Sequence, residues 1–331
     1  MLYIESDSMD AAFHFSAEEY IMRQFPSDEP VMMIWQTAPC AMLGANQIAE
    51  AEIDMARAKQ EGVQIVRRAS GGGTIFTDPG TFLITIILPY YEGQDLRQTA
   101  AEGLAGPIVS ALEKMGIPAK IEGRNDILVS GKKVSGFAQY VRHGKICSHG
   151  SLLYDADLEM LARILRVDDE KIRSKALRSV RSRVTNIMEY MAEPRPARAF
   201  LTLFKEHLFS ARPFTGYTFN EQDFTEIGRI YHEKYGNPAW IIQRSPSFSF
   251  HNSVRFAGGK VEVYLAIASG KVTSCSVRGD FLGAAPIREL EERLENILFQ
   301  RQAFADALTG FPLPLYLGNI LIDELLSCIF Y

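Results

Sequence analysis

The sequence lacks the patterns that would place the protein in several common classes. Its four cysteines are scattered without a CxxC pair, and its six histidines show no HExxH spacing, which favours reduced thiols over a disulfide framework or a zinc site. No apolar run approaches the length of a membrane span, and acidic residues near the N-terminus are unlike a secretory signal. A formal net charge of -5 argues against a general nucleic-acid partner. We therefore expect a cytoplasmic protein without a membrane or nucleic-acid partner.

Two familiar phosphate-binding motifs are also missing. Neither GxGxxG nor a Walker GxxxxGK followed by Ser or Thr occurs. The sequence has instead RRASGGGTIFTD, residues 67–78, directly after a strand-like run at 63–66. Three consecutive glycines cost backbone entropy on folding, but they let a ligand lie directly against main-chain N–H groups. This stretch is therefore either a ligand-binding loop or a plain flexible or bulged turn.

A second stretch, GRNDILVSGKKVSGFAQ at 123–139, reads as a β-hairpin. Ser130-Gly131 is placed as a two-residue turn between two β-rich runs. Such a turn brings the strand that begins near Asp126 opposite the strand that carries Lys133. We therefore expect Asn125, Asp126 and Lys133 to share the mouth of one pocket, with a solvated surface lysine as the alternative.

The faces of the second strand follow from the period of two residues in β-structure. Side chains alternate between the faces of a sheet, so Lys133 and Ser135 are expected to project together. Lys132 and Val134 are expected to project to the other face.

Hydrophobic periodicity and turn residues divide the chain into two parts. Predicted strands lie at 31–35, 41–43, 63–68, 81–88 and in an antiparallel meander at 119–154. Predicted helices lie at 10–24, 53–60 and 96–115, and 157–235 reads as mainly helical. Residues 240–250 have the Ser/Pro content of a linker, and strands at 253–256, 261–268 and 272–277 with a helical face from Ile287 to Leu298 follow. The tail therefore reads as a separate small α/β domain.

The segment from Arg173 to Arg183 is a local exception to the acidic composition, since it is rich in basic residues and has no acidic ones. It is either a solvated face or a docking patch for phosphates or an acidic partner.

Four motifs, in this order, resemble the lipoate-protein ligase family: RRASGGGTIFTD, GRNDILVSGKKVSG, SHGSLL at 148–153 and SVRSRVTNI at 179–187. The resemblance covers most of the first 245 residues, and the tail resembles the accessory domain of bacterial members. It implies an α+β fold of the biotin/lipoate ligase type, with a mixed, largely antiparallel sheet and flanking helices over 1–245. A small α/β accessory domain would occupy 246–331, and nothing demands more than a monomer.

The resemblance implies a two-step acyl transfer. ATP and lipoate, with Mg²⁺, would give lipoyl-adenylate and pyrophosphate. A lysine of an acceptor lipoyl domain, in a 2-oxoacid dehydrogenase or the glycine cleavage H protein, would then attack the activated carboxyl and release AMP. Lipoyl domains tend to be acidic, so Arg173 to Arg183 is the candidate surface for the acceptor.

The resemblance also assigns roles to residues. Lys133 would be the catalytic residue, a point charge that stabilises negative charge on the α-phosphate and the lipoyl carbonyl. The adenylate-binding residues would be Arg68, Gly73, Thr74, Ile75, Phe76, Asn125, Asp126 and Lys133. The lipoate-binding residues would be Ser70, Gly71, Gly72, Ser135, Gly136 and His149. Asp126 could also hold Mg²⁺, directly or through water.

The chain departs from the family pattern at three positions. Members commonly carry His at the position of Thr77, Asn at that of Thr81, and a small or amide residue at that of Phe137. These departures bear on adenine contacts and on the preferred length of the acyl tail.

Three alternatives remain open at this point. An ATP-independent octanoyl or lipoyl transferase of the same fold needs a thiol nucleophile, for which Cys147 is the nearby candidate. A biotin ligase shares the architecture but usually has a different glycine motif. A non-catalytic lipoate-binding protein would have lost adenylation through the departures, although Arg68, Asp126 and Lys133 are retained.

Overall fold

An eight-stranded mixed sheet forms the centre of the first 240 residues. The computed structural model describes residues 1–27, 29–123, 125–165, 182–210, 213–242, 249–268 and 270–330. The strand order of this sheet is β11-β1-β2-β6-β10-β9-β8-β7, and only the pairs that β1 makes with β11 and β2 are parallel. Its strands are β1 (Leu2–Glu5), β2 (Val31–Trp35), β6 (Thr81–Pro89), β7 (Ala119–Glu122), β8 (Asp126–Val129), β9 (Lys132–Arg142), β10 (Lys145–Leu153) and β11 (Thr215–Tyr217).

A second, three-stranded sheet carries the chain into the triple-glycine stretch. Its order is β4-β3-β5, with β3 parallel to β4 and antiparallel to β5. The strands are β3 (Cys40–Leu43), β4 (Gln64–Arg67) and β5 (Ile75–Thr77). Strands β4 and β5 both pair with β3, so the glycines between them span from one edge of the small sheet to the other.

Helices flank both faces of the central sheet. The described helices of this part are α1 (Ala11–Gln24), α2 (Ala49–Glu52), α3 (Met55–Gln60), α4 (Leu96–Ala100), α5 (Gly106–Lys114), α6 (Met160–Ile164), α7 (Ala197–Phe209), α8 (Glu221–Ile230) and α9 (Pro238–Ile241). One hydrophobic core joins one face of the sheet to α5 and α7, and a second joins the other face to α1 and α8. The predicted α+β class with a mixed, mainly antiparallel sheet is therefore confirmed.

Local capping and turn chemistry explain why several predicted elements form. Helix α1 begins at Asp10, whose side chain accepts a hydrogen bond from Ala12 N at 2.9 Å. Ser130-Gly131 and His143-Gly144 have positive φ at both residues, as a type I′ hairpin turn requires. The predicted meander at 119–154 is confirmed, with turns at the expected residues.

Three other predictions need correction. The helix predicted at 96–115 is interrupted between α4 and α5 by a π-helical turn, Ala101–Ala105. The region 157–235 contains the short strand β11 besides its helices, and 166–181 lie outside the described residues. The predicted linker at 240–250 is wrong at Trp240, which belongs to α9 and donates from Nε1 to the carbonyl of Arg67 at 2.9 Å.

The tail folds around its own core. An antiparallel sheet in the order β12-β13-β14 packs against four helices. These elements are β12 (Phe250–Phe256), β13 (Gly259–Ala268), β14 (Lys271–Gly279), α10 (Arg288–Arg293), α11 (Arg301–Leu308), α12 (Leu313–Leu317) and α13 (Ile322–Phe330). The helical face predicted as far as Leu298 ends earlier, at Arg293. Residues 249–330 are called the C-terminal unit below.

Within the described ranges, no helix combines the length and the apolarity that a membrane crossing requires.

Candidate active site

The described parts of the four motifs meet around one cavity of about 440 Å³. The cavity lies between the central sheet and the small β4-β3-β5 sheet. Its wall includes eleven of the predicted site residues: Arg68, Gly72, Gly73, Thr74, Ile75, Phe76, Asn125, Asp126, Lys133, Gly136 and His149. Ser70, Gly71 and Ser135 are buried and lie behind the wall. The expectation that Asn125, Asp126 and Lys133 share one pocket is thus met by the geometry.

Lys133 lies at the centre of contacts between the motifs. Its Nζ is 2.7 Å from Oδ1 of Asp126, and both side chains are half-buried. The side chain crosses over Gly136, where a Cβ atom would be 2.7 Å from Nζ. Thr185 N donates to the Lys133 carbonyl at 3.0 Å, so the motif at 179–187 holds the strand that carries the lysine. The ammonium group is therefore positioned at the cavity by three parts of the chain.

A β-bulge changes the predicted faces of β9. Ile127 pairs with Ser135 and Leu128 pairs with Lys133, so Val134 is an extra residue on this strand. Val134 is buried in the core, and the cavity wall continues from Lys133 to Gly136 instead of Ser135. Strict alternation across Val134 is therefore wrong, and a contact between Ser135 and lipoate stays a prediction.

Arg68 is buried, and its guanidinium donors bind the protein itself. It donates to the carbonyls of Met42, Gly71 and Gly73, each at 2.8 Å, and to Ser70 Oγ at 3.1 Å. Burial, with a smaller effect of the neighbouring Arg67, lowers the pKa of Arg68 to about 10, so it remains charged at neutral pH. In this structure Arg68 fixes the shape of the glycine turn.

The glycines also allow another part of the chain to approach closely. Gly72, at φ +93°, donates from its backbone N–H to the Phe281 carbonyl at 3.0 Å. A Cβ atom on Gly71 would lie 2.6 Å from the same carbonyl oxygen. Asp280 and Leu282 line the cavity beside this contact. The sequence reasoning missed these C-terminal residues, because no local pattern indicates a contact across 200 residues.

The inner part of the cavity, defined by deeply buried wall residues, is apolar and reaches a chain of polar side chains. Phe15, Trp35, Met42 and Leu83 form its walls. Here, His149 Nε2 is 2.6 Å from Ser70 Oγ, and His149 Nδ1 is 3.1 Å from the Glu18 carboxylate. Glu18 was also missed from the sequence, since it is on α1 and meets His149 only through packing.

Only one of the three departures from the family pattern lies on the cavity wall. Thr77 and Thr81 are fully buried away from it, the first beside Thr37 Oγ1 at 2.8 Å and the second donating to Asp78. Phe137 is on the wall. The expectation that the departures bear on ligand contacts is therefore supported by position for Phe137 and not for the two threonines.

Two other sequence hypotheses can be located. Cys147 is fully buried behind the wall, and burial raises the pKa of its thiol well above the ordinary value. Such a thiol is poorly suited to act as a nucleophile at neutral pH. The basic segment from Arg173 lies outside the described residues up to position 181.

Solved structures with the same fold define the class of protein. Plasmodium falciparum LipL1, in complex with lipoate, matches with a TM-score of 0.78, 21% identity and 98% coverage of both chains. A bi-partite lipoate protein ligase from Thermoplasma acidophilum, described with its E2 lipoyl domain, gives a TM-score of 0.65 and 25% identity over 75% of this chain and 98% of its own. Lipoate-protein ligase A bound with ATP gives 0.61 and 22% identity, covering 73% of this chain and 97% of that one. The fold is that of the lipoate ligases.

Sequence matches then define the family. Residues 10–209 match the lipoyl protein ligase A/B catalytic domain, and 245–329 match the bacterial lipoate protein ligase C-terminus. Lipoate-protein ligase LplJ of Bacillus subtilis is 31% identical over 334 residues, with 100% of both chains covered. A lipoate-protein ligase of Streptococcus pyogenes is 31% identical, with 97% of this chain and 96% of its own covered. The chain belongs to the lipoate-protein ligase family and is an enzyme of the ligase class.

Proposed function

We propose that this enzyme activates lipoate with ATP to lipoyl-adenylate and transfers the lipoyl group to a lysine of an acceptor lipoyl domain. The observation that carries the proposal is the Lys133 ammonium group, held by Asp126 on the wall of a cavity that also contains the triple-glycine main chain. The related structures with lipoate and with ATP support the same pair of substrates.

In the first step, a carboxylate oxygen of lipoate forms a bond to the α-phosphorus of ATP, and pyrophosphate leaves. Lys133 would stabilise the negative charge shared by the carboxylate and the α-phosphate as they approach. Asp126 is 2.7 Å from Nζ and would keep the ammonium oriented before the substrates arrive. A preoriented charge needs little rearrangement in the transition state, which is the source of its catalytic effect.

The adenylate would lie against Gly73, Thr74, Ile75 and Phe76. These residues form one edge of the cavity, and Arg68 fixes the turn that precedes them. Arg68 would therefore act on the adenylate mainly through the shape of the turn. Asn125 donates from Nδ2 to the Phe137 carbonyl at 2.7 Å and would hold the opposite wall in place.

Lipoate would extend into the inner, apolar part of the cavity. The walls formed by Trp35 and Leu83 suit an aliphatic tail, and the buried His149 belongs to the same part of the wall. Ser70 Oγ contacts His149, so Ser70 would act on the tail through the imidazole. Gly71, Gly72, Ser135 and Gly136 complete the predicted lipoate set.

The cavity also fits Mg²⁺ entering with ATP. Asp126 supplies a carboxylate on the wall, and Asp157 and Asp280 line the same cavity. Mg²⁺ prefers such oxygen ligands and is commonly held by one or two carboxylates together with substrate phosphates. When bound, it would neutralise part of the phosphate charge.

In the second step, a lysine amine of the acceptor attacks the lipoyl carbonyl, an amide bond forms, and AMP leaves. The archaeal ligase described with its E2 lipoyl domain supports a lipoyl domain as the acceptor. We infer acceptors in 2-oxoacid dehydrogenases or the glycine cleavage H protein. We also infer a monomer, divided into a catalytic domain at 1–245 and an accessory domain at 246–331.

The thiol-dependent transferase is the second candidate, and the burial of Cys147 disfavours it. The thiol is kept protonated by its surroundings and is not on the cavity wall. A non-catalytic lipoate-binding protein is disfavoured by the ion pair that orients Lys133 on the cavity wall.

The proposal is tested by comparing Lys133→Ala with Lys132→Ala. Release of AMP from α-labelled ATP is measured with lipoate and hydroxylamine, which separates activation from transfer. We expect Lys133→Ala to lower the rate at least ~100-fold, as expected for loss of a preoriented charge-stabilising donor. The neighbouring Lys132, which is not on the cavity wall, serves as the matched control.

Lys132→Ala should retain the wild-type rate of activation. A near-normal rate for Lys133→Ala, or acyl transfer that needs an acyl carrier protein instead of ATP, would contradict the proposed reaction.

A further inference from the structure

Three buried side chains with metal-binding atoms lie together at His149, just behind the cavity wall. Glu18, Cys147 and His149 each offer one ligand atom, and these atoms all lie within 4.8 Å of one another. Among the described residues, this is the one group of three or more potential metal-binding side chains with ligand atoms so close together. Cys147 and His149 are two residues apart on β10, so both side chains lie on the same face of the sheet, against which α1 packs.

We propose that Glu18, Cys147 and His149 form a binding site for a divalent cation of the zinc type. A thiolate, an imidazole nitrogen and a carboxylate oxygen are the ligands that Zn²⁺ prefers. One divalent ion with a thiolate, a carboxylate and a neutral imidazole gives a first coordination sphere without net charge. A neutral group is far less costly to bury than separate charges.

The spacing of two of the ligand atoms already suits such an ion. His149 Nδ1 lies 3.1 Å from Glu18 Oε2. Two ligand atoms at zinc bond lengths in a tetrahedron are separated by about 3.3 Å. A cation between these atoms would take the place of the proton that they now share, with a small outward shift of either side chain. The neutral imidazole would then carry its proton on Nε2, which faces Ser70 Oγ.

Two of the ligands also form hydrogen bonds through the atoms that would not bind the cation, as metal ligands usually do. The second ring nitrogen of His149 contacts Ser70 Oγ at 2.6 Å. Glu18 Oε1 accepts from Thr85 Oγ1 at 2.6 Å, and Thr85 Oγ1 accepts in turn from Trp35 Nε1 at 3.1 Å. Outer partners of this kind fix the orientation of a ligand and select the imidazole tautomer.

Cys147 would make the affinity for the cation depend on pH. Burial, followed by Glu18, raises the pKa of this thiol, while the Tyr140 hydroxyl acts in the opposite direction. The buried Tyr140 hydroxyl has no other hydrogen-bonding partner in the described part of the chain. A cation would release the thiol proton to solvent, so affinity should increase with pH.

The site has a consequence for the substrate, and this consequence rests on the proposed function. His149 is the ligand that reaches the cavity wall. A cation bound to it would change the part of the cavity wall at which the acyl tail is expected. We therefore expect Zn²⁺ to raise the KM for lipoate in competition.

The experiment uses Co²⁺ as a spectroscopic probe on untagged, full-length protein reduced with a phosphine. We expect one Co²⁺ per chain and a thiolate-to-cobalt charge-transfer band. Cys147→Ser should abolish the band and weaken binding at least ~100-fold, the upper limit for loss of an outer partner alone. Cys40→Ser is the matched control, because Cys40 is equally buried on β3 and lies outside the cluster.

A second variant keeps the test independent of the cysteine. Thr85→Val removes the outer partner of Glu18 and should weaken Co²⁺ binding roughly 10- to 100-fold while the band remains. The site is rejected if no thiolate band forms, if the band persists in Cys147→Ser, or if Cys40→Ser removes it. If Co²⁺ binds as expected but Zn²⁺ leaves the KM for lipoate unchanged, the competition is rejected. The cobalt band and the Co²⁺ affinity do not depend on ligase activity. Failure of the proposed function is therefore distinguishable from failure of the metal site.

Discussion

At the scale of single residues, Gly136 has a role that depends on the absence of a Cβ atom. Lys133 passes directly over it, and a Cβ atom at position 136 would lie 2.7 Å from both Cε and Nζ of the lysine. Real Cβ atoms do not tolerate such contacts, so the ammonium group would have to move. The displaced atoms belong to the end of a flexible side chain, which can move without disturbing the fold.

We predict that Gly136→Ala lowers the rate of lipoate activation roughly 10- to 100-fold, since small displacements of a catalytic group have effects of this size. The free energy of unfolding in urea should change by less than about 1 kcal/mol. Gly216→Ala is the control, because a Cβ atom there has no neighbour within 4 Å. An unchanged rate in a folded Gly136→Ala protein would show that the lysine position is not critical.

The roles of individual residues were predictable from the sequence only where the residues belong to a local motif. The pair Arg67 and Arg68 shows the limit of such predictions. Arg67 is fully buried and binds the carbonyls of Gly44, Gln47 and Ile241. Arg68 lies on the cavity wall. Nothing in the letters RR distinguishes these roles, because they depend on which distant carbonyls surround each guanidinium.

At the scale of elements, hairpin turns were predictable and the bulge in β9 was not. Ser130-Gly131 and His143-Gly144 are local signals, since only a few residue types accept positive φ at both turn positions. The extra residue Val134 depends on the register between β8 and β9. That register is set by packing of both strands on the core, which no short stretch of sequence reports.

The triple-glycine turn allows a prediction about the contact between elements. Val141 N donates to the Ala284 carbonyl at 2.7 Å, and Gly279 N donates to the Asn46 carbonyl at 3.1 Å. A Cβ atom on Gly71 would lie 2.6 Å from the Phe281 carbonyl, whereas one on Gly73 would meet only Asp280 Cβ at 3.8 Å. Gly71→Ala should therefore displace residues 279–284, and Gly73→Ala should not.

Hydrogen exchange reports whether the hydrogen bonds at this contact open more readily. Overpacking costs about 1–3 kcal/mol, so in Gly71→Ala the amides of Val141 and Gly279 should exchange on the order of tenfold faster or more. The same amides should keep wild-type rates in Gly73→Ala. Equal exchange in the two variants would mean that the close approach seen at Gly71 does not hold the C-terminal unit in place.

At the scale of the whole molecule, the sequence predicted two units but not their contact. The motifs identified the fold of the first part, and turn residues indicated the strands of the second. The cavity, however, takes Asp280 and Leu282 from the C-terminal unit. This arrangement depends on how two folded surfaces fit together, so periodicity and local motifs carry no information about it.

Global stability depends on a buried ion pair that joins distant parts of the first 240 residues. Glu19 on α1 accepts from Lys234 Nζ at 2.5 Å and from Tyr235 Oη at 2.6 Å. Burial opposes ionisation of Glu19, yet its pKa is held below the ordinary value, mainly by Lys234. Burial lowers the pKa of Lys234 to about 8, although Glu19 acts in the opposite direction.

We predict that Glu19→Gln lowers the free energy of unfolding at pH 7 by about 3–5 kcal/mol, since it leaves a buried ammonium group without its counter-charge. The unfolded lysine titrates identically in both proteins, so only the folded lysine contributes to the pH dependence of the difference between them. Glu19 raises the pKa of Lys234, so in the variant this pKa falls below about 8, and the loss should shrink as the pH rises to 8 and beyond, where the folded wild-type lysine also becomes neutral. Glu5→Gln, which breaks an exposed pair with Lys205, is the control and should leave stability nearly unchanged. Urea unfolding at pH 7 and pH 9.5 measures both effects, and a pH-independent loss would show that Lys234 is not the group left unpaired.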